Sequence, residues 1–127
     1  NSRAWRWQTC YQVAWFNTAP TEGSIRSSRV NLEYHLQQCA QVFGMKMIPA
    51  TKALNDKFGG PAPIAHNVFY SDFSDDPWQR ASVDYPPSTD QPYHLTTCDD
   101  CGHCLDLHDP TSEDPQALND GRAIILF

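Results

Sequence analysis

Two residues stand where an acid–base pair would have to stand. Asp76 lies a few residues past an apolar, β-branched run, Ile64–Tyr70, and His103 lies just past a second one, Tyr93–Thr97. If both runs are strands of one sheet, both side chains sit on loops at strand carboxyl ends, where doubly wound sheets assemble their sites. A carboxylate that accepts the Nδ1–H of an imidazole fixes its tautomer and stabilises the imidazolium, so that Nε2 can take a nucleophile's proton. The plain alternative is an exposed loop carboxylate and a solvated imidazole, because such pairs also arise by chance. The third part of such a system is missing. No Gly-x-Ser-x-Gly occurs, and none of the nine Ser sits on a Gly-flanked strand-to-helix turn. If Asp76 and His103 are catalytic, the nucleophile and its oxyanion hole lie on another polypeptide.

The second concentration of reactive side chains is Cys98-Asp-Asp-Cys101-Gly-His-Cys104. Its overlapping Cys-x-x-Cys spacings, with His103 and His108, could ligate zinc, although a structural zinc site usually draws on two separated ligand pairs. Cys101-Gly-His-Cys104 also spells a redox dithiol, which needs its first Cys at a helix N-terminus after a strand. Pro110 would end any such helix within two turns. A local disulfide bracing the loop of His103 is the simplest reading, and no metal is expected. Cys10 and Cys39 remain; each lies in a helical stretch, and one bridge could close the loop between them.

These residues need elements to position them. Residues 3–18 read as a helix or a strand-to-helix stretch so dense in aromatics that it should be buried on more than one side. A helix is predicted from about Val30 to Phe43, with Ser27 or Ser28 near its N-cap, Gly44 ending it, and Leu32, Leu36, Cys39, Ala40 and Phe43 on the buried face. A short helix over Ala50–Phe58 stops at Gly59-Gly60. Strand Ile64–Tyr70 precedes a loop, 71–78; a Pro-rich connection, 84–92, leads to strand Tyr93–Thr97. A last helix should run from Pro115 to Phe127, capped by Ser112 or Asp114. The order predicts an α/β chain, the tail of a mostly parallel sheet, and two strands cannot bury both faces of a sheet alone. Trp5, Trp7, Trp15, Phe16 and Trp78 read individually as core aromatics, and His35, His66 and His94 as structural or surface residues.

Composition narrows the class. The chain has 127 residues, with nine Lys and Arg against fifteen Asp and Glu, a net charge of −6. With no clustered positive charge, a nucleic-acid partner is not expected. The longest apolar run, Ala123–Phe127, is far short of a membrane span. Five Cys favour an oxidising compartment, and their odd number leaves at least one thiol over. The start at Asn1 and the apolar end at Phe127 predict a piece of a longer precursor.

Taken together, the motifs resemble the prolyl carboxypeptidase family, which also holds dipeptidyl peptidase II and thymus-specific serine protease. The resemblance rests on Trp7-Gln8-Thr9-Cys10, on Cys39 followed by Phe43-Gly44, and on Phe58-Gly59-Gly60. It continues in Asn67–Trp78, similar to that family's segment ending Asp-Pro-Trp, in Gly102–Leu107, similar to its histidine motif, and in Ser112–Pro115. It covers essentially all of residues 1–127, in order. The implied fold is the C-terminal part of one α/β-hydrolase domain, with the catalytic Ser region and helical cap domain not in this chain. The resemblance makes Asp76 and His103 the Asp and His of a Ser-Asp-His triad, and Trp78 and Trp15 apolar walls for a substrate proline. It pairs Cys10 with Cys39. Three departures stand out: Asp72-Phe73 replaces an Asn–Gly turn, Cys104 stands where some members have a second His, and Cys98 with Cys101 is not general.

The expected function is therefore the C-terminal, light chain of a proline-specific serine peptidase, lysosomal, vacuolar or secreted. It would act with a companion chain from the same precursor carrying the Ser, on peptides containing proline, with no cofactor. The alternative is a non-catalytic peptidase-like structural or interaction protein, and a zinc or thiol module at Cys98–Cys104 is a third.

Overall fold

The computed structural model describes residues 2–125. The chain divides into two units, residues 1–57 and 58–127.

In the first unit, helix α1 (Ser2–Gln8) passes into one wide π-helical turn, Thr9–Val13, which buries Thr9 and Cys10. The expected burial of this aromatic stretch on several sides is corrected: Trp5, Trp7, Tyr11 and Trp15 remain between 40 % and 51 % exposed. The core here is only Cys10, Cys39 and Met47, flanked by Phe16 and Phe43, too little apolar matter to cover four large rings. The rings cover one another instead, Trp7 stacking on Tyr11 at 5.5 Å and meeting Phe43 edge-on at 5.1 Å.

Helix α2 (Leu32–Phe43) starts at Asn31, whose Oδ1 accepts the Tyr34 N–H at 3.0 Å. Ser27, one of the expected caps, closes its own turn by accepting the Arg29 N–H, so the helix begins later. Gly44 ends it in the left-handed region at φ 69°, as the sequence predicts. Cys39 is buried as expected, whereas Leu32 stays exposed because His35 takes the inward position. The His35 ring stacks on Phe16 at 4.9 Å and its Nε2 donates to the Asn17 carbonyl at 3.3 Å. Burial lowers its pKa, which favours the neutral ring. The Cys10–Cys39 disulfide joins the π turn to α2, and α3 (Thr51–Phe58) follows.

In the second unit, β1 (Tyr70–Phe73) and β2 (Tyr93–Thr96) pair in parallel, from Tyr70 opposite Tyr93 to Phe73 opposite Thr96. The first strand lies later than the expected Ile64–Tyr70. Asn67, at φ 55°, breaks the extended run, and Ile64 is 96 % exposed. Asp72 and Phe73, expected in the loop, are the buried end of β1. The crossover between the strands carries a single 3₁₀ turn, Gln79–Ala81, in place of the usual helix. Phe73, Cys101 and Leu118 form the core, flanked by Cys98 and Leu105.

Helix α4 (Gln116–Ile125) packs on β2. Leu126 and Phe127, included in the expected helix, lie outside the described residues. Asp114, one of the expected caps, directs its carboxylate to the segment before the helix and to Arg122: it accepts from the Thr111 N–H and hydroxyl and pairs with Arg122. Arg122 in turn donates to the carbonyls of Leu105 and His108 at 3.0 and 3.1 Å, tying α4 to the segment after His103. The Arg122 bond, then the two Thr111 donors, hold the Asp114 carboxyl down to about 2 from 3.8. A lowered folded-state pKa stabilises above the unfolded value, and that stability is lost as pH falls from 3.8 to about 2. Asp114→Asn should therefore flatten the acid limb of the melting-temperature profile in this window, read by circular dichroism.

Where α4 crosses β2, a Cβ at Gly121 would lie 2.6 Å from Thr96 Oγ1 and 3.5 Å from His94 Nε2. Thr96 is 2 % exposed and has nowhere to go. Gly121→Ala should cost about 1–3 kcal/mol, read as a lower denaturant midpoint with unchanged slope. The second unit is thus a small α/β arrangement built on a parallel strand pair. Among the described residues no helix is long and apolar enough to cross a membrane.

Candidate active site

The loop after β1 is laced to its surroundings by backbone bonds. Ser74 N–H donates to the Thr96 carbonyl and Asp75 N–H to the Cys101 carbonyl, each at 3.0 Å, and Asp76 N–H turns back to Phe73 at 3.2 Å. This places Asp76 beside the segment that follows β2. Its side chain is 8 % exposed and both oxygens are engaged. Oδ1 accepts the Trp78 N–H at 2.7 Å, and Oδ2 lies 2.6 Å from His103 Nδ1.

His103 is presented from the other side by a braced turn. Cys98 and Cys101 are joined in a disulfide, with Cα atoms 5.3 Å apart, and Cys101 is fully buried against Phe73 and Leu118. Ser74 Oγ adds a bond to the Cys98 carbonyl at 3.2 Å. Asp100 and Cys104 on either side of His103 take left-handed backbone, φ 61° and 59°, which turns the chain twice and pushes the imidazole outward. The ring is 52 % exposed and lies 5.0 Å from that of Trp78, tilted by 54°. An imidazole whose Nδ1 is held by an engaged carboxylate presents Nε2 as a proton acceptor.

Of the residues singled out from sequence, Asp76, His103 and Trp78 come together. Trp15 belongs to the first unit, where its ring packs against Trp5 at 5.9 Å. The disulfides are Cys10–Cys39 and Cys98–Cys101, with Cys104 free and half-buried. Cys101 is bonded to Cys98, not to Cys104, which rules against the redox-dithiol reading. It also removes two sulfurs from any zinc set. Burial first, then the Asp106 and Asp76 carboxylates, push the Cys104 thiol up, away from the reactive thiolate. Among the described residues, no group of three His, Cys, Asp or Glu side chains is arranged to hold a metal ion.

Sequence reasoning noted Asp72 only as part of a changed turn, and it passed over Ser82. Asp72 is 3 % exposed at the end of β1, and its Oδ1 accepts the Ser82 hydroxyl at 2.6 Å while Oδ2 is buried without a partner. Nothing in a ten-residue separation signals that contact; only the true register of β1 does.

Comparison with known proteins agrees with the motifs. The family model described as Serine carboxypeptidase S28 matches residues 1–125. The chain is 32 % identical to Probable serine protease EDA2 of Arabidopsis thaliana over 105 residues, 83 % of this chain and 21 % of that protein. It is 28 % identical to the Thymus-specific serine protease of Homo sapiens over 127 residues, 98 % of this chain and 24 % of that protein. The Mus musculus protein of the same name is also 28 % identical, over 123 residues, 94 % of this chain and 24 % of that protein. The chain thus spans less than a quarter of the length of these relatives. No solved structure matches it significantly. With the family model covering all but the last two residues, this chain belongs to the Serine carboxypeptidase S28 family.

Proposed function

We propose that this chain is the C-terminal part of an α/β-hydrolase domain and works as the light chain of a serine peptidase. Asp76 is the orienting carboxylate and His103 the general base and acid of its triad. The observation that carries this reading is the 2.6 Å contact between His103 Nδ1 and an Asp76 carboxylate whose other oxygen is already held. A companion chain from the same precursor supplies the nucleophilic Ser, the oxyanion hole and the cap; this chain spans less than a quarter of its relatives' length, which leaves those parts outside residues 1–127.

In this mechanism His103 Nε2 takes the Ser proton as the hydroxyl attacks the peptide carbonyl, and Asp76 stabilises the imidazolium that results. The imidazolium then protonates the departing amine. Water then attacks the acyl-serine, giving its proton to His103 Nε2, and the imidazolium returns that proton to the Ser oxygen as the acid product leaves; no cofactor takes part. The proposed substrates are peptides cut beside proline. Trp78 offers a flat apolar face next to the base, suited to a proline ring; Trp15 joins it on the resemblance alone. Two disulfides fit a lysosomal, vacuolar or secreted setting.

The test is to treat the native protein with a fluorophosphonate and identify the labelled peptide by mass spectrometry, before and after reduction. Label on a Ser between glycines of a companion segment supports the reading. A companion with that Ser replaced leaves a non-catalytic relative. For the pocket, Trp78→Ala should lower the Pro-over-Ala ratio of kcat/KM about tenfold or more. An unchanged ratio on paired peptide substrates would remove Trp78 from the proline wall.

A further inference from the structure

Asp72 is a buried carboxyl with half of its hydrogen-bonding capacity unused. Its Oδ1 accepts from Ser82 at 2.6 Å, and its Oδ2 is enclosed with no partner. A carboxylate left that way in a poorly solvated position is costly, whereas a carboxylic acid places its proton there at far smaller cost. The charged groups facing it act in the same direction. Asp76 on the following loop and Asp84 on the crossover both oppose a second negative charge. Tyr93, on the paired strand, is itself pushed up by burial and then by Asp72 and Asp84. Burial first, then Asp76 and Asp84, raise the Asp72 pKa, against the bond from Ser82.

The place of this group in the chain gives it leverage. Asp72 sits on β1 four residues before Asp76, and Ser82 lies just past the turn that follows Trp78. The Asp72–Ser82 bond therefore closes a loop around Asp76 and Trp78, the two residues that touch His103. We propose that Asp72 is a positioning residue of this site: as the neutral acid it accepts from Ser82 and keeps Asp76 and Trp78 in register with His103, and its ionisation opens the loop, because a third buried negative charge beside Asp76 and Asp84 outweighs the stronger bond that Ser82 then makes. On ionisation the buried oxygen seeks water, and three carboxylates (Asp72, Asp76 and Asp84) repel one another across the loop. The site is then better ordered below the pH at which Asp72 ionises than above it. The relevance to catalysis rests on the proposed function; the ordering of His103 does not.

The experiment follows the hydrogen-bonded Nδ1–H proton of His103 by nuclear magnetic resonance against pH, in the native protein with whatever chain accompanies it. In the parent the resonance should sharpen in acid and be lost as Asp72 ionises. In Asp72→Asn, which stays neutral, it should persist to a pH at least about one unit higher. Ser82→Ala, at a half-buried position, should show the high-pH behaviour throughout, because the tie is cut. Coincident profiles for the parent and Asp72→Asn overturn the proposal. So does a parent-like profile in Ser82→Ala, which decides the matter if the Asn variant fails to fold. A protein that shifts as expected yet hydrolyses no peptide would defeat the proposed function while supporting the positioning role of Asp72.

Discussion

Replacing His103 by Ala in the proposed peptidase should lower kcat by about four orders of magnitude or more, with the fold intact. Without the imidazole nothing within reach of the nucleophile takes its proton, and nothing returns a proton to the leaving amine. Folding should survive because the ring is 52 % exposed and touches the unit mainly through Asp76 and Trp78. Asp76→Asn should be nearly as severe, about 10⁴-fold. Its amide would donate to Nδ1 in place of accepting from it, so the proton would sit on Nε2 and the base would face the substrate in the wrong tautomer. That variant should also lose little stability, since the Trp78 N–H keeps an oxygen acceptor. Steady-state kinetics with thermal melts of both variants checks this, and near-normal kcat in either one sinks the assignment of the pair.

That pair was legible before any coordinates because one rule covers it. An Asp and a His, each just past a strand, in that order, meet if the strands are neighbours in a parallel sheet. The parallel pairing of Tyr70–Phe73 with Tyr93–Thr96 supplies that condition. Helix α2 was equally readable, since periodic apolar positions and a Gly at the left-handed C-cap are local signals. Three features were not local. The limits of β1 depend on where β2 is and on the left-handed Asn67, so the β-branched run at 64–70 overstated the strand's start. The N-cap of α2 depended on which of several polar residues was already bonded, and Ser27 was. The exposure of the N-terminal aromatics depended on how large a core residues 1–57 could build.

The site shows the same division. The Asp76–His103 contact follows from strand order, but the approach of Trp78 to His103 depends on a turn that Asp76 itself closes by accepting the Trp78 N–H. The pairing within Cys98, Cys101 and Cys104 was undecidable from spacing, because two overlapping Cys-x-x-Cys frames are equivalent on paper. Packing separates them, for Cys98 and Cys104 are both half-buried. Cys101 points into the core between Phe73 and Leu118, and Cys98 packs against the same cluster. The burial of Asp72 escaped notice for a related reason: in a loop an Asp is an ordinary turn former, and only as the inward end of β1 does it become a buried acid.

The other large effect concerns the first unit. The Cys10–Cys39 disulfide closes a sequence separation of 29, for which loop-closure entropy gives about 3.5 kcal/mol. The Cys98–Cys101 bridge, with a separation of 3, contributes less than about 2 kcal/mol by the same reasoning. The two also differ in what surrounds them. Cys10 and Cys39 are themselves two of the three buried apolar residues among the described residues of the first unit, with Met47 the third. A core of that size supplies no more than a few kcal/mol, so losing the bridge removes most of what holds α2 against the π turn. The double variant Cys10→Ser, Cys39→Ser should therefore expose residues 1–57 to proteases while the segment around His103 stays protected. Limited proteolysis of the native protein, with the cut sites mapped by mass spectrometry, reads the two units separately. Equal resistance of both units in parent and variant would mean that the aromatic pairs of Trp5, Trp7, Tyr11, Trp15 and Phe43 carry the first unit without the disulfide, and the importance given to that bridge would be lost.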